Sequence, residues 1–410
     1  MRFSFKYSLV LLPICLLAAL PARAQYTRSL CEDIRTVKVV VNNDPLQPPI
    51  AKLNEGRIEV SFDQMSHSYY RYIYKVQFCN ADWTVNDEVF ESDYLAGFNE
   101  RPIEDYEKSF NTTVIYTHYK FHFPNNDCRL LLAGNYRITV YEEGNEEEPV
   151  AEACFSLLSP QMNVSATVST NTDIDVNRAH QQVTYALNYM NCKVIDPTSE
   201  LSTVVMQNRR YDNAVVNLPP NIRKAAGAEW THRRELIFPA SNEFLKFEIL
   251  DVHQDGMGVD RMEWFDPYWH ATLMTANPPH NYSYDEDANG ISLIRHSGDE
   301  DNDTQSEYLF VHFRYKSDPL PADPYVCGLW TNGDCDEQCK MEYIEAEGIY
   351  EVGLLLKQGY YNWQPRVEGQ TAKTEGNFYE TENEYQILIY HRPQGSRYDA
   401  LVGYNRLQTR

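Results

Sequence analysis

The stretch AGNYRITV at residues 133–140 opens with a turn signal and then alternates polar with apolar side chains. Tyr136, Ile138 and Val140 are the apolar members of this alternation. Because successive side chains of a β-strand point to opposite faces, such a pattern places one face on a core and the other toward water. The stretch therefore predicts a strand that follows a tight turn at Gly134.

The same two-residue period recurs along the chain. Residues 58–62, 72–78, 309–315 and 352–356 show it, and Gly, Asn, Asp and Pro clusters separate such runs. Thirty tyrosines add rings that favour strands. These features predict an all-β protein built of tandem immunoglobulin-like antiparallel β-sandwiches. The exception is residues 222–230, where we expect one or two turns of helix.

The composition is that of a folded, acidic protein. Of the 410 residues, 43% are hydrophobic and 13% aromatic, which excludes a disordered chain. The formal net charge of -23 argues against binding to nucleic acid or to anionic lipid, since both attract basic surfaces. A chain of this length is expected to form two or three domains.

The amino terminus has the features of a secretory signal peptide. Arg2 and Lys6 precede an apolar stretch at residues 9–20, and Ala22-Arg23-Ala24 fits the small-x-small cleavage pattern. Residues 1–24 are therefore predicted to be removed and the mature chain to be exported.

Two observations bear on membrane attachment. A lipid anchor at Cys15 is the less favoured alternative, because the bulky Ile14 precedes it. Beyond the signal peptide, no apolar run approaches the roughly 20 residues that a membrane-spanning helix needs. We therefore expect no direct membrane span.

Two interruptions divide the mature chain. One is the Leu-Ser-Pro sequence at residues 158–160, and the other is the Asn-Pro-Pro-His sequence at residues 277–280. They predict an N-terminal β-sandwich at 25–159, a middle β-sandwich at 160–279 and a C-terminal β-sandwich at 280–410.

Eight cysteines remain after cleavage, and an oxidising compartment would permit disulfides among them. They are Cys31, Cys79, Cys128, Cys154, Cys192, Cys327, Cys335 and Cys339. The last three are close in sequence and would suit a zinc site, but no His-x-His motif or second cysteine pair accompanies them. A local disulfide is the favoured interpretation.

Recognisable catalytic motifs are absent from the sequence. It contains no nucleophile elbow, no His-Glu-x-x-His zinc motif, no Walker loop and no dinucleotide fingerprint. We therefore expect a protein that is not an enzyme, and we predict no catalytic residue, cofactor or metal.

The best metal candidate is the loop at residues 285–290. Asp285, Asp287 and Asn289 offer oxygen ligands at positions one, three and five of a calcium loop, and Gly290 follows as the turn glycine. The twelfth position, where a glutamate would close the shell, is His296. A turn in which Asn-Gly adopts left-handed dihedrals is the favoured interpretation.

An aromatic run, EWFDPYW, occupies residues 263–269. Large rings anchor protein–protein interfaces, so this run is a candidate for a partner-binding patch. Burial between sandwich layers is an equally good interpretation.

Several short strings resemble the type IX secretion system plug protein family. In order along the chain they are CNADW at 79–83, DYLAGF at 93–98, SFNT at 109–112, YTHY at 116–119, HQQV at 180–183, QNRRYDNA at 207–214, LLKQGYYNW at 355–363 and ETENEY at 380–385. Together they span almost the whole mature chain.

The resemblance implies a Bacteroidota-type periplasmic protein at the inner side of the outer membrane. Its partner would be the outer-membrane β-barrel translocon of the type IX secretion system, whose periplasmic opening it would bind and plug. The family implies no catalytic residue and no cofactor.

The last part of the chain also resembles a glycogen-binding-type immunoglobulin module. Trp330 and Trp363 would form its sugar-stacking platform. The alternative function is therefore that of an exported glycan-binding β-sandwich protein of the cell envelope. Burial of both tryptophans in or beside the sandwich core is the favoured interpretation.

Overall fold

The computed structural model describes residues 26–298, 301–332, 337–367 and 374–409. These residues lie mostly in β-strands, which form several open, largely antiparallel sheets. The prediction of an all-β sandwich fold is confirmed. The predicted signal peptide and Cys335 lie outside the described residues.

Residues 28–158 form the first sandwich. Its elements are β1 (Arg28–Ser29), β2 (Ile34–Val41), β3 (Ile50–Lys52), β4 (Ile58–Gln64), β5 (Tyr72–Cys79), the one-turn helix α1 (Glu91–Tyr94), β6 (Leu95–Gly97), β7 (Arg101–Pro102), β8 (Asp105–Lys108), β9 (Thr117–Phe123), β10 (Cys128–Leu130), β11 (Gly134–Glu142) and β12 (Ala151–Leu158).

Two sheets face each other in this sandwich. One has the order β1-β12-β11-β5-β7, with β3 parallel to β12, and the other has the order β2-β4-β9-β8. Tyr136, Ile138 and Val140 on β11 are fully buried between them, as the alternation predicts. Tyr136 stacks on Phe155 with ring centroids 5.6 Å apart.

The rest of the chain forms two further sandwiches. Their elements are β13 (Asn163–Ser169), β14 (His180–Asn188), α2 (Pro197–Glu200), β15 (Leu201–Gln207), β16 (Val215–Val216), β17 (Ile222–Lys224), β18 (Gly227–Trp230), a 3-10 turn (Arg234–Leu236), β19 (Ile237–Pro239), β20 (Leu245–Ile249), β21 (Val259–Phe265), β22 (Tyr268–Leu273), β23 (Ser292–Ile294), α3 (Asn302–Gln305), β24 (Tyr308–Lys316), β25 (Tyr325–Cys327), 3-10 turns (Leu329–Thr331 and Glu337–Cys339), β26 (Glu342–Ile344), β27 (Ile349–Lys357), β28 (Gly359–Arg366), β29 (Glu384–His391) and β30 (Ala400–Gln408).

The second sandwich takes strands from both ends of this region. One sheet has the order β13-β14-β18-β17, with β19 on β14. The other has the order β16-β15-β29-β30, so the last hairpin of the chain pairs with β15. Its core includes Tyr185, stacked on Trp230 at 4.4 Å, and Ile387 and Ile389 of β29.

The third sandwich is inserted before that last hairpin. Its sheets have the orders β20-β28-β23 and β21-β22-β24-β27-β26, and β22 runs parallel to β24. Strands β20 to β22 lie before residue 280, but they are part of the third sandwich. The sheets therefore do not divide the chain between residues 279 and 280 as predicted. We infer that burial is the reason. The apolar residues of β15 and β28 become buried only when strands far away in the sequence, β29 and β20, pair with them.

The helix predicted at residues 222–230 is wrong. Strands β17 and β18 form a hairpin there, with Arg223 opposite Ala228. Ala228 and Trp230 are fully buried in the second core, and the Trp230 indole donates to the carbonyl oxygen of Leu218 at 2.7 Å. Burial against the second core favours the hairpin over a helix, because a nine-residue helix has little stability of its own.

No described helix is long and apolar enough to cross a membrane.

Candidate docking surface

The hairpin of β21 and β22 carries the aromatic run at residues 263–269. Trp264 is 41% exposed and Phe265 is 56% exposed, whereas Tyr268 and Trp269 are partly buried. The rings of Trp264 and Trp269 meet edge to face, with centroids 5.3 Å apart. The sequence left two interpretations of this run open. A partner-binding patch fits the exposed Trp264 and Phe265, and burial fits the partly buried Tyr268 and Trp269.

Strand pairing extends this hairpin into a continuous face. Phe265 lies opposite Tyr268, and His270 lies opposite Phe310, so the four side chains share one side of the sheet. His270 meets Phe265 edge to face at 5.2 Å and stacks on Phe310 at 5.4 Å. Tyr268 meets Phe310 edge to face at 5.1 Å. Together with His312, these residues are named the aromatic face.

Polar groups border the aromatic face. Nδ1 of His270 and Nε2 of His312 lie 2.9 Å apart, so one ring donates to the other. Burial and the neighbouring His312 lower the pKa of His270, which favours its neutral form. Glu351 lies 3.4 Å from His312 and 3.2 Å from Arg314. Large rings at the centre and charged groups at the rim are the composition of protein–protein interfaces.

The candidate calcium loop is a turn held by protein donors. Asn289 and Gly290 have φ angles of 52° and 90°, as the favoured interpretation requires. The Asp285 carboxylate pairs with Lys246 at 2.5 Å, and the Asp287 carboxylate accepts the Asn289 amide at 2.6 Å. Across the described ranges, no group of three or more His, Cys, Asp or Glu residues is arranged to hold a metal ion.

The two tryptophans of the predicted sugar platform belong to the third core. Trp363 is 2% exposed and meets Phe313 edge to face at 5.0 Å. Trp330 is partly buried, and its indole donates to the carbonyl oxygen of Asn362 at 2.8 Å. The core interpretation is confirmed, and the glycan-binding alternative loses the platform on which it rested.

Two cysteines of the first sandwich are free thiols shielded from solvent. Cys79 and Cys154 are buried beside Trp83 and form no disulfide. Burial raises the pKa of Cys79 to about 11 and that of Cys154 to about 12, so both stay protonated at neutral pH. The local disulfide predicted among Cys327, Cys335 and Cys339 stays a prediction, because Cys335 lies outside the described residues.

A buried polar junction joins the first and third sandwiches. Asp63 of β4 accepts hydrogen bonds from Lys357 at 2.7 Å and from the Tyr308 hydroxyl at 2.6 Å. Its other oxygen lies 2.6 Å from Nδ1 of His118. Burial alone would raise the pKa of Asp63, but Lys357 and His118 together lower it to about 2. We name these four residues the junction.

Further contacts reinforce the junction. The Lys357 ammonium lies over the Tyr116 ring, 4.2 Å from its centroid. The Tyr116 hydroxyl donates to the carbonyl oxygen of Ser306 at 2.9 Å, and the Val114 amide donates to Glu307 at 3.0 Å. These desolvated hydrogen bonds rigidify the elements they join, although Nε2 of His118 has no hydrogen-bond partner among the described residues.

Sequence reasoning missed the junction and three of the five residues of the aromatic face, His270, Phe310 and His312. His118 and Lys357 lie in strings that carry the family resemblance, but nothing local assigns them a role. Phe310 and His312 appear in the sequence only as outward positions of a strand. The parallel pairing of β22 with β24 places them beside His270, and no local pattern predicts that pairing.

Comparison with known proteins places these features in a family. Residues 34–159 match the type 9 secretion system plug protein 1st domain. The chain is also similar to a hypothetical protein from Parabacteroides merdae, known from a crystal structure, with 38% sequence identity and a TM-score of 0.90. The alignment covers 94% of this chain and 99% of that one. No curated protein matches.

The family match covers most of the first sandwich, including Asp63 and His118 of the junction. The Parabacteroides merdae structure matches all three sandwiches as one arrangement. The chain therefore belongs to the type 9 secretion system plug protein family and has a role related to type IX secretion.

Proposed function

We propose that this chain binds the periplasmic opening of the outer-membrane type IX translocon and plugs it, without catalysing a reaction. The match of residues 34–159 to the plug protein family carries this proposal. In it, the exported mature chain resides in the periplasm, against the inner side of the outer membrane.

The junction supports a plugging role because a plug must resist deformation. Lys357 and Asp63 tie the third sandwich to the first through groups with essentially no solvent exposure. The buried Tyr390 hydroxyl of β29 donates to the side-chain oxygen of Asn135 on β11 at 2.9 Å, which ties the second sandwich to the first. Relative motion of the sandwiches would break buried hydrogen bonds, which is costly.

The aromatic face supplies the surface that would contact the translocon. It is the part of the third sandwich where exposed rings lie at the centre and ion pairs at the rim. In the proposal, Phe265 and Tyr268 of this face contact the partner and become buried there.

Co-purification from crosslinked envelopes tests binding. A tagged translocon should retain the wild-type chain, and the F265A/Y268A double variant should be retained at least about tenfold less. The control is I195A/M190A, which removes two exposed side chains on the second sandwich. It should co-purify like the wild type.

The binding proposal fails if the wild-type chain never appears with the translocon. The assignment of the aromatic face fails if both double variants are retained equally.

A leak assay tests closure separately from binding. Cells that lack this chain should admit a hydrophilic dye too large for ordinary porins, and the wild-type gene should restore exclusion. Equal dye entry with and without the chain would contradict plugging.

A further inference from the structure

A cleft of about 930 Å³ lies between the first and third sandwiches. Strand β2 of the first sandwich and residues 354–357 of β27 line it, and the 3-10 turn at Leu329–Thr331 contributes to it. Its size is within the range of sites that bind a small ligand or a short peptide.

The two strands present unpaired edges to this cleft. Strand β2 is the end strand of its sheet, and its register with β4 places Val40 opposite Glu59. The Asn42 amide donates to the carbonyl oxygen of Arg57 on the β4 side. In an antiparallel pair, every second residue makes such bonds, so Val40 also bonds to β4. The backbone amide and carbonyl of Val39, which lies between them, therefore point away from β4.

Strand β27 repeats this arrangement. The Gln358 amide donates to the carbonyl oxygen of Glu307, so the backbone groups of Leu355 point away from β24. Strand β26 covers only residues 349–351 of β27. Within the described chain, no strand pairs with the remainder of this edge. Such edges are templates for an added strand.

The side chains around the edges are apolar. Val37 and Val39 of β2 and Leu354 and Leu356 of β27 contribute to the lining of the cleft, and each also packs against the core of its own sandwich. All four are only partly buried. An added strand with β-branched residues would cover them.

Basic side chains outnumber acidic ones in the lining of the cleft. Five basic side chains line it, against two acidic ones, Glu32 and Glu337, although the whole chain carries -23. Four of the five are already paired with carboxylates: Lys357 with Asp63, Arg209 with Glu384, Arg28 with Glu152 and Lys38 with Asp303.

Arg35 differs from the other basic groups of the cleft. No described carboxylate pairs with it, and its Nε is shut off from solvent with no hydrogen-bond partner among the described residues. A guanidinium left in this way is suited to a carboxylate supplied from outside.

We propose that this cleft binds an extended, β-branched peptide segment that bears a carboxylate. The segment adds as a strand along β2, its backbone bonds the amide and carbonyl of Val39, and its carboxylate pairs with Arg35. The site is distinct from the aromatic face, and it does not depend on the translocon.

The test uses the purified mature chain and two fluorescein-labelled decapeptides of alternating Val and Thr, one with a central Asp and the other with Asn there. The wild type should bind the Asp peptide about tenfold more tightly than the Asn peptide. R35Q should bind both peptides equally, at the affinity of the wild type for the Asn peptide.

V39P tests the backbone contact. Proline at this edge position removes an outward amide and no ladder hydrogen bond, so the fold should survive while binding of both peptides is lost. As a measurement that needs no variant, hydrogen exchange of the wild-type Val39 amide should slow when the Asp peptide is added. The proposal is overturned if millimolar peptide fails to bind the wild type, or if it binds without protecting the Val39 amide.

Discussion

The ammonium of Lys357 lies 2.7 Å from the carboxylate of Asp63, and the two side chains are 0% and 1% exposed. One residue belongs to the third sandwich and the other to the first. A pair so completely removed from water contributes to stability only while both partners are present, because a single buried charge without its partner carries the full desolvation cost.

Replacement of Lys357 by methionine should therefore destabilise the protein. We expect K357M to lower the free energy of unfolding by about 3–5 kcal/mol, measured by urea denaturation. The D63L/K357M double variant should recover most of this loss. As a control, R71M breaks the half-exposed pair with Glu143 and should cost less than about 1 kcal/mol. Equal effects of K357M and R71M would contradict the role of the junction.

Asp63 also predicts a dependence of stability on pH. Its folded-state pKa, about 2, lies below the ordinary pKa of an aspartate, about 3.9. Its contribution is therefore present above about pH 4 and is lost as the pH falls toward 2, an effect of about 2 kcal/mol. The measurement compares wild type with D63N between pH 4 and pH 2. The other acidic groups titrate in both proteins, so the wild type should lose more stability over this range. Parallel curves would show that Asp63 does not titrate in this way.

The two classes of tryptophan should respond differently to truncation. W363A empties a site in the third core and should cost about 3–5 kcal/mol of unfolding free energy. W264A removes an exposed ring and should change stability by less than about 1 kcal/mol. Thermal denaturation of both variants and of the wild type measures these two changes in stability. A large loss for W264A would mean that the hairpin packs more tightly than its exposure indicates.

Gly134, at the start of the decisive strand, should not tolerate a side chain. Its φ is +144°, and a Cβ there would lie 2.6 Å from the Phe78 ring. G134A should therefore destabilise the protein by about 3 kcal/mol, from backbone strain together with overpacking.

The matched control for this substitution is Gly144. Its φ is +85°, but a Cβ there would meet nothing within 4 Å. G144A should cost about 1 kcal/mol, since it adds strain without a clash. If both variants unfold at the same urea concentration, the contact with Phe78 does not matter.

Patterns of period two predicted five strands, β4, β5, β11, β24 and β27, because the direction of a side chain in a strand depends only on its neighbours along the chain. Residues 133–140 are an example, and their three apolar side chains are buried as expected. The pattern failed at residues 222–230, where the burial of Ala228 and Trp230 overrides a weak local preference.

The sequence by itself determined the all-β class, the turn at Gly134 and the Asn289-Gly290 turn, since each follows from the conformational preferences of adjacent residues. Only the tertiary structure decided that β29 and β30 return to β15, that Trp363 is buried while Trp264 is exposed, and that Lys357 meets Asp63. These outcomes depend on which distant strands lie side by side. That choice is made by the burial of whole sheet faces, and no local stretch of sequence contains it.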